Sequence, residues 1–290
     1  MSLYLSAGVS GIAVGLLYGL IGFAIVMLYK STGVANFAQG TLGTLGAFAA
    51  FTLLTDLGFS LYAAALLSLI ISWLMGIVIF FVVIVPRDSG NLNTTVRTLG
   101  LSMLVLAAME LQWGASAPYR FPPVVEGGFS LLGVVIPGQA VVTAVIALAL
   151  AAVLWAFFQF TPVGLSLRAL AEQPDTARLL GLRATRLGAM TWGVSCVFGT
   201  VVAVLLAPSA FLLPSMMDAY LMFTFTGIVL GGLTSLPGAL IGCVIVGVIS
   251  NVATVAFSPE VGVVVIFVLL LASMLLRPQG LLGKPESVRL

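Results

Sequence analysis

Long apolar runs alternate with short polar ones along the whole chain. A membrane-crossing helix needs about 20 consecutive apolar residues. By that length nine segments qualify: 8–28, 37–55, 61–85, 97–113, 139–160, 187–207, 218–234, 238–257 and 261–276. The third is 25 residues without a charge. The second, seventh and ninth are short or interrupted by glycine, which predicts half-helices or re-entrant segments for them. With nine spans, the first four and the last four flank a central fifth. The two groups then run in opposite directions, as in the inverted repeats of transporters. The repeat is faint in sequence: each half has a Gly-rich, interrupted pair of spans, 33–46 and 227–242.

The longest polar interruption is Gly164 to Arg186, GLSLRALAEQPDTARLLGLRATR, and the pattern is organised around it. It carries Arg168, Glu172, Asp175, Arg178, Arg183 and Arg186. A charge at mid-bilayer costs several kcal/mol, so this stretch projects into water. Pro174 suits the first turn of a helix, Asp175 the positive end of its dipole, and Gly181 its stop. A short helix over 174–180 is expected, with Glu172 before it and Arg178 and Leu179 in its last turn. Such a helix could be gripped by another protein; the alternative is a solvated loop.

Composition turns the pattern into a class. Of 290 residues 61% are hydrophobic and 7% charged, against about 25% charged in soluble domains. The fold class is therefore all-α, a polytopic membrane helix bundle, read as one transmembrane domain over 1–290 with the loop 164–186 outside the bilayer. The lipid bilayer is its environment, and a net charge of +2 is no footprint for nucleic acid. Placing the 164–186 loop in the cytoplasm leaves only Arg120 outside among eleven Lys and Arg, the asymmetry of the positive-inside rule. The N-terminus is then outside, together with Asp56, Glu126, Asp218 and Glu260, and the C-terminus inside. The first twenty residues contain no Lys or Arg and so lack the basic start of a cleavable signal peptide. The segment 114–138, GASAPYRFPPVVEGGFSLLGVVIPG, becomes the largest outer loop, either a partner surface or a plain connector.

There is no histidine, which removes Ser-His triads, His bases and His-ligated metals. Cys196 and Cys243 lie in apolar runs and read as small core residues. No GxxxxGK[ST] phosphate loop occurs, so the chain does not hold ATP by that route. Gly11, Gly15 and Gly19 recur every fourth residue, as do Gly227 with Gly231 and Gly238 with Gly242. That spacing lines one helix face and lets backbones approach, or loosens a gate. Around the second span, Asn36, Gln39, Thr41 and Thr44 are polar among Gly33, Gly40, Gly43 and Gly46. A helix broken there exposes backbone groups that only protein or water can cover, which is how transporters build midplane sites. The other reading is an ordinary helix start with Asn36 as N-cap. Asn251 and Ser250 in the eighth span are packing or path residues. Glu110 lies within a turn of a boundary and can reach water.

Four stretches carry a family resemblance. GLLYGLIGFAIVMLYKSTGVANFAQGTLGTLGAF resembles the opening of LivH-type permeases of bacterial branched-chain amino acid ABC transporters. RALAEQPDTARLLGLRATRLGAMTW resembles their cytoplasmic loop, LGGLTSLPGALIGCVIVGVI their late Gly-Pro segment, and LLLASMLLRPQGLLG their C-terminal end. The match spans nearly the whole chain. It implies a multi-pass subunit in the bacterial cytoplasmic membrane, importing branched-chain or other small amino acids by alternating access, and no enzyme. It also implies a LivM-like second permease, two cytoplasmic ATPase subunits that hold the ATP, and an external solute-binding protein. This chain would bind no cofactor. The helix at 174–180 would be the coupling helix to an ATPase. Where many relatives carry His after Asn-Phe-Ala, this chain has Gln39, and related permeases carry urea or small amides and acids. A secondary transporter would place ionisable groups inside the membrane, and only Glu110 is available for that.

Overall fold

In the computed structural model the described residues are 2–85, 91–115, 118–131, 134–232, 235–277 and 279–282. Their helices are α1 (Ser2–Thr32), α2 (Gln39–Thr55), α3 (Leu61–Ile79), α4 (Asn91–Trp113), α5 (Gly138–Phe160), α6 (Pro162–Glu172), α7 (Pro174–Leu179), α8 (Ala184–Ala210), α9 (Asp218–Gly231), α10 (Leu236–Ala256) and α11 (Pro259–Leu276). A π-helical turn, Phe80–Ile84, continues α3. The strands β1 (Gly128–Leu131) and β2 (Val134–Pro137) form an antiparallel hairpin with Gly128 opposite Pro137.

All nine apolar segments are helical. Among the described residues seven helices are long and apolar enough to cross a membrane. The two that fall short are α2, with 17 residues, and α9, with 14. At 1.5 Å per residue they reach about 25 and 21 Å, against about 27 Å for an 18-residue helix, the shortest of the seven, and roughly 30 Å of hydrocarbon. These are two of the three segments expected to be incomplete; the ninth, α11, is a full 18-residue helix. Helix edges moved as well. α4 begins at Asn91 rather than near 97, and the first part of the 164–186 loop belongs to a further helix, α6, over Pro162–Glu172.

The described residues fall into two compact units. One holds residues 1–26, 123–153 and 220–290, the other 27–122 and 154–219. The first is built from most of α1 with α9, α10 and α11. The second is built from α8 with α2, α3 and α4. Both ends of the chain thus repeat one order: a long helix, a non-helical break, a short helix, two long helices. Each unit takes its three consecutive helices from one end and its long buried helix from the other. The Gly-rich pairs 33–46 and 227–242 do not correspond in this order: the first spans the break between α1 and α2, the second the join between α9 and α10.

Glycines seat the borrowed helices. In the first unit a Cβ on Gly15 would stand 2.7 Å from the Val244 Cα of α10. One on Gly11 would stand 2.8 Å from the Val248 Cα. In the second unit a Cβ on Gly43 would stand 2.6 Å from the Gly199 carbonyl of α8. Real contacts are never that close, so the fourth-residue glycine spacing is a close-approach device here.

The 114–138 segment is more than a connector. Its first part pairs with the stretch after α8: Tyr119 N–H donates to the Leu212 carbonyl at 3.1 Å, and Leu212 N–H returns a bond at 2.9 Å. That stretch opens with Phe211 at φ 59°, a left-handed conformation that costs a bulky residue free energy. The strained residue ends α8 and lets the chain turn into the bridge.

Candidate functional site

α1 stops at Gly33, whose φ of 71° only glycine adopts freely. Its N–H closes the helix onto the Tyr29 carbonyl at 2.8 Å. The Ser31 and Thr32 hydroxyls donate to the Leu28 carbonyl at 3.0 and 2.8 Å. The chain then runs non-helically to Ala38. Asn36 turns it: the side-chain oxygen accepts from Ala38 N–H at 3.0 Å. The N-cap position of α2 is Ala38, with no side-chain capping bond, so Asn36 shapes the turn before the helix and does not cap it.

Three helices converge on this break within the second unit. The Asn36 side-chain amide donates to Gln39 Oε1 at 3.1 Å. Gln39 Nε2 donates to the Ser195 carbonyl on α8 at 2.7 Å, and Ser195 Oγ donates back to Gln39 Oε1 at 2.7 Å. Asn36, Gln39 and Ser195 are completely buried. From α4, Thr98 Oγ1 accepts from Phe37 N–H at 3.2 Å, and Ser102 shares a 3.1 Å bond with Thr41. Thr44 is buried and bonds back to the Gly40 carbonyl at 3.1 Å. Further along, Ser72 of α3 meets Thr200 of α8 at 2.7 Å.

Four of the five candidate path residues, Asn36, Gln39, Thr41 and Thr44, are therefore buried at or just after this break: Asn36 and Gln39 share a network with Ser195, Thr41 bonds to Ser102, and Thr44 bonds only to its own helix. The fifth, Asn251, belongs to the other unit. It is half-buried on α10, bonds weakly to the Gly247 carbonyl at 3.4 Å, and lies against Gly11. Ser195, Thr98, Ser102, Ser72 and Thr200 were not singled out from sequence. The available signal was a hydroxyl inside an apolar span, which needs a partner on another helix.

The network consists of amides and hydroxyls, which orient and hydrogen-bond but carry no charge at neutral pH. Its central acceptor is Gln39 Oε1, which serves both Asn36 and Ser195. Gln39→Leu orphans both donors, and a buried unsatisfied group costs about 1–3 kcal/mol. The variant should lose roughly 2–4 kcal/mol in thermal or denaturant unfolding of the purified protein. Adding Ser195→Ala to it should recover part of that loss, because one orphan disappears.

At the other candidate site α6 and α7 form most of the polar loop between α5 and α8. α7 covers Pro174–Leu179 and ends as expected: Gly181 has φ 85°, and Leu182 N–H reaches the Ala177 carbonyl at 3.1 Å, a Schellman closure. Ala177 is buried, while Leu179 and Leu180 are 88% and 79% exposed. Glu172, Arg183 and Arg186 are exposed around them. The backbone of Pro174, Asp175 and Arg178 forms this helix; their side chains lie outside the described ones. Two adjacent, almost bare leucines on a capped helix make an apolar tip with basic residues beside it.

A helix set long and apolar enough to span a membrane repeatedly, with a buried uncharged polar network and a capped short helix bearing exposed leucines, defines a multi-pass membrane protein of the permease class. Residues 8–274 match the family model described as branched-chain amino acid transport system, permease component. The chain belongs to that family, and so it is a transport component and not an enzyme. It is 31% identical to the high-affinity branched-chain amino acid transport system permease protein BraD of Pseudomonas aeruginosa, over 98% of this chain and 97% of that one. It is 30% identical to the LivH permease protein of Escherichia coli K12, over 96% and 94%. A probable LivH permease of Methanocaldococcus jannaschii is 24% identical over 91% and 88%. As an ABC permease component it acts with further ABC subunits.

Proposed function

We propose that the chain is a membrane-spanning subunit of an importer for branched-chain or other small amino acids, seated in a bacterial cytoplasmic membrane. It pairs with a LivM-like second permease, two cytoplasmic ATPase subunits and an external solute-binding protein. ATP is held by the ATPase subunits. The observation that carries this reading is the loop tip: Leu179 and Leu180 stand bare on a short helix capped at its far end. An exposed apolar pair on a stiff projection fits a groove in a partner. Residues 174–180 are then the coupling helix, with Glu172, Pro174, Asp175, Arg178, Leu179 and Gly181 shaping or flanking it.

Transport follows alternating access. Closure of the ATPases displaces the coupling helix, and the bundle opens outward to receive solute from the binding protein. Asn36, Gln39, Thr41, Thr44 and Asn251 are the polar groups this chain brings to the path. In the second unit Asn36 bonds to Gln39, Gln39 to Ser195 and Thr41 to Ser102, so these groups reach solute by exchanging partners when the helices move. The kinship with permeases named for branched-chain amino acids supports that solute class.

The test is reconstitution of this chain into vesicles, alone and with all of these partners. ATP-dependent concentrative uptake of leucine, isoleucine or valine by the full complex, and none by the chain alone under ion gradients, is the expected result. Uptake by the chain alone would make it a secondary transporter. Uptake of urea or small amides in place of amino acids by the full complex would move the solute class.

A further inference from the structure

The coupling loop joins two spanning helices, α5 before it and α8 after it, and the two joins are built differently. At the α5 end a chain of bonds crosses the elbow. The Thr161 hydroxyl donates to the Phe157 carbonyl at 2.6 Å and accepts from Gly164 N–H at 3.0 Å. Thr161 N–H also reaches Phe157 at 3.2 Å. Pro162 fixes the first turn of α6. Gly164 lies so close to the end of α5 that a Cβ there would stand 2.6 Å from the Phe158 carbonyl and 2.7 Å from its Cα.

Arg168, two turns along α6, completes the elbow. Its guanidinium reaches back to α5, with NH2 donating to the Gln159 carbonyl at 3.2 Å and NH1 to Gln159 Oε1 at 3.4 Å. A cation there also faces the negative end of the α5 dipole. The planar fork holds two acceptors in one geometry, which a lysine cannot do. Leu167 and Leu170 are buried beside it. At the α8 end no comparable device exists among the described residues. The N-cap of α8 is Arg183, without a side-chain capping bond, and the join is made by backbone turns at Leu182–Ala184 and Arg183–Arg186.

We propose that α6 and the last turn of α5 move as one rigid lever, that displacement of the α7 tip is delivered to the bundle through α5, and that Arg168 is the positioning residue that stiffens this elbow. The proposal rests on the coupling reading above and adds which spanning helix receives the motion.

The experiment uses the full complex in vesicles, measuring uptake KM and Vmax for leucine, ATP hydrolysis and subunit co-purification. If the unmodified complex shows no ATP-driven uptake, the functional reading fails before the elbow is tested. Where it does, Arg168→Gln should cut uptake Vmax about tenfold, leave KM within about twofold and leave basal ATP hydrolysis in place, so that solute moved per ATP falls. Arg168→Lys should recover only part of the loss. Gly164→Ala, which pushes the elbow apart from its other side, should reproduce the pattern with Arg168 intact. Unchanged solute per ATP in Arg168→Gln overturns the proposal. So does loss of ATP hydrolysis together with subunit co-purification, since Arg168 would then be an assembly residue.

Discussion

Gly15→Val should weaken the folded state about a hundredfold or more, whereas Gly8→Val, two turns earlier in the same helix, should leave it intact. A Cβ at position 15 meets the Val244 Cα at 2.7 Å and the Cys243 and Val244 carbonyls at 3.0 Å. All three are backbone or backbone-anchored atoms of α10 and cannot swing aside as a side-chain tip would. A Cβ at Gly8 meets nothing within 4 Å. Overpacking usually costs 1–3 kcal/mol, and a backbone clash widened by two valine methyls belongs at about 3 kcal/mol or above, roughly a hundredfold in the folding equilibrium. Both variants carry the same helix-propensity change, so the difference between them isolates the close approach. The measurement is the folded fraction recovered in detergent by size-exclusion chromatography and its thermal transition. Equal yields would mean that α1 and α10 do not approach as described.

Leu179→Pro should uncouple transport while the spanning helices remain folded. Proline at the last position of α7 removes an N–H of a six-residue helix and collides with the carbonyl four residues back, at about 3 kcal/mol or more. It also pushes the preceding residue out of helical geometry. A helix this short has no reserve of its own. Leu179 is 88% exposed, so the change removes no core contact and α5 and α8 should still insert. In the full complex, uptake and solute-stimulated ATP hydrolysis should fall at least tenfold with expression unchanged. Uptake at the unmodified rate would make the loop a mere connector.

The spans were legible because hydrocarbon imposes a crude rule: length and absence of charge suffice. The stops at Gly33 and Gly181 were legible too, since a left-handed residue is written as glycine. α6 was not. Its charges placed it in a loop, and the cap and stop residues there marked only the helix from Pro174; the overlooked cue was Thr161–Pro162, a cap followed by a first-turn proline. The network at Gln39 was half legible. The break and its polar residues are local, but Ser195 and Thr98 come from helices far along the chain, and nothing near Gln39 names them. Asn251 joined the same candidate set by residue type alone, and it packs in the other unit. The exchange of α1 and α8 between units was hidden for the same reason: a small-residue stripe announces close contact without naming the helix it meets.

That exchange sets a clock on biosynthesis. The Val244 backbone that Gly15 must touch is made more than two hundred residues after it. At about 5–20 residues per second the interval is on the order of ten seconds or more. Throughout it α1 has a glycine-lined face and no protein to cover it. Its hydrophobicity lets lipid or the insertion machinery hold it in the meantime. The first unit thus cannot close until α10 has entered the bilayer, while α2, α3, α4 and α8 of the second are already made. A nascent chain truncated before α10 should therefore hold α1 as an unassembled helix, open to capture by quality-control proteases, beside a unit already able to fold.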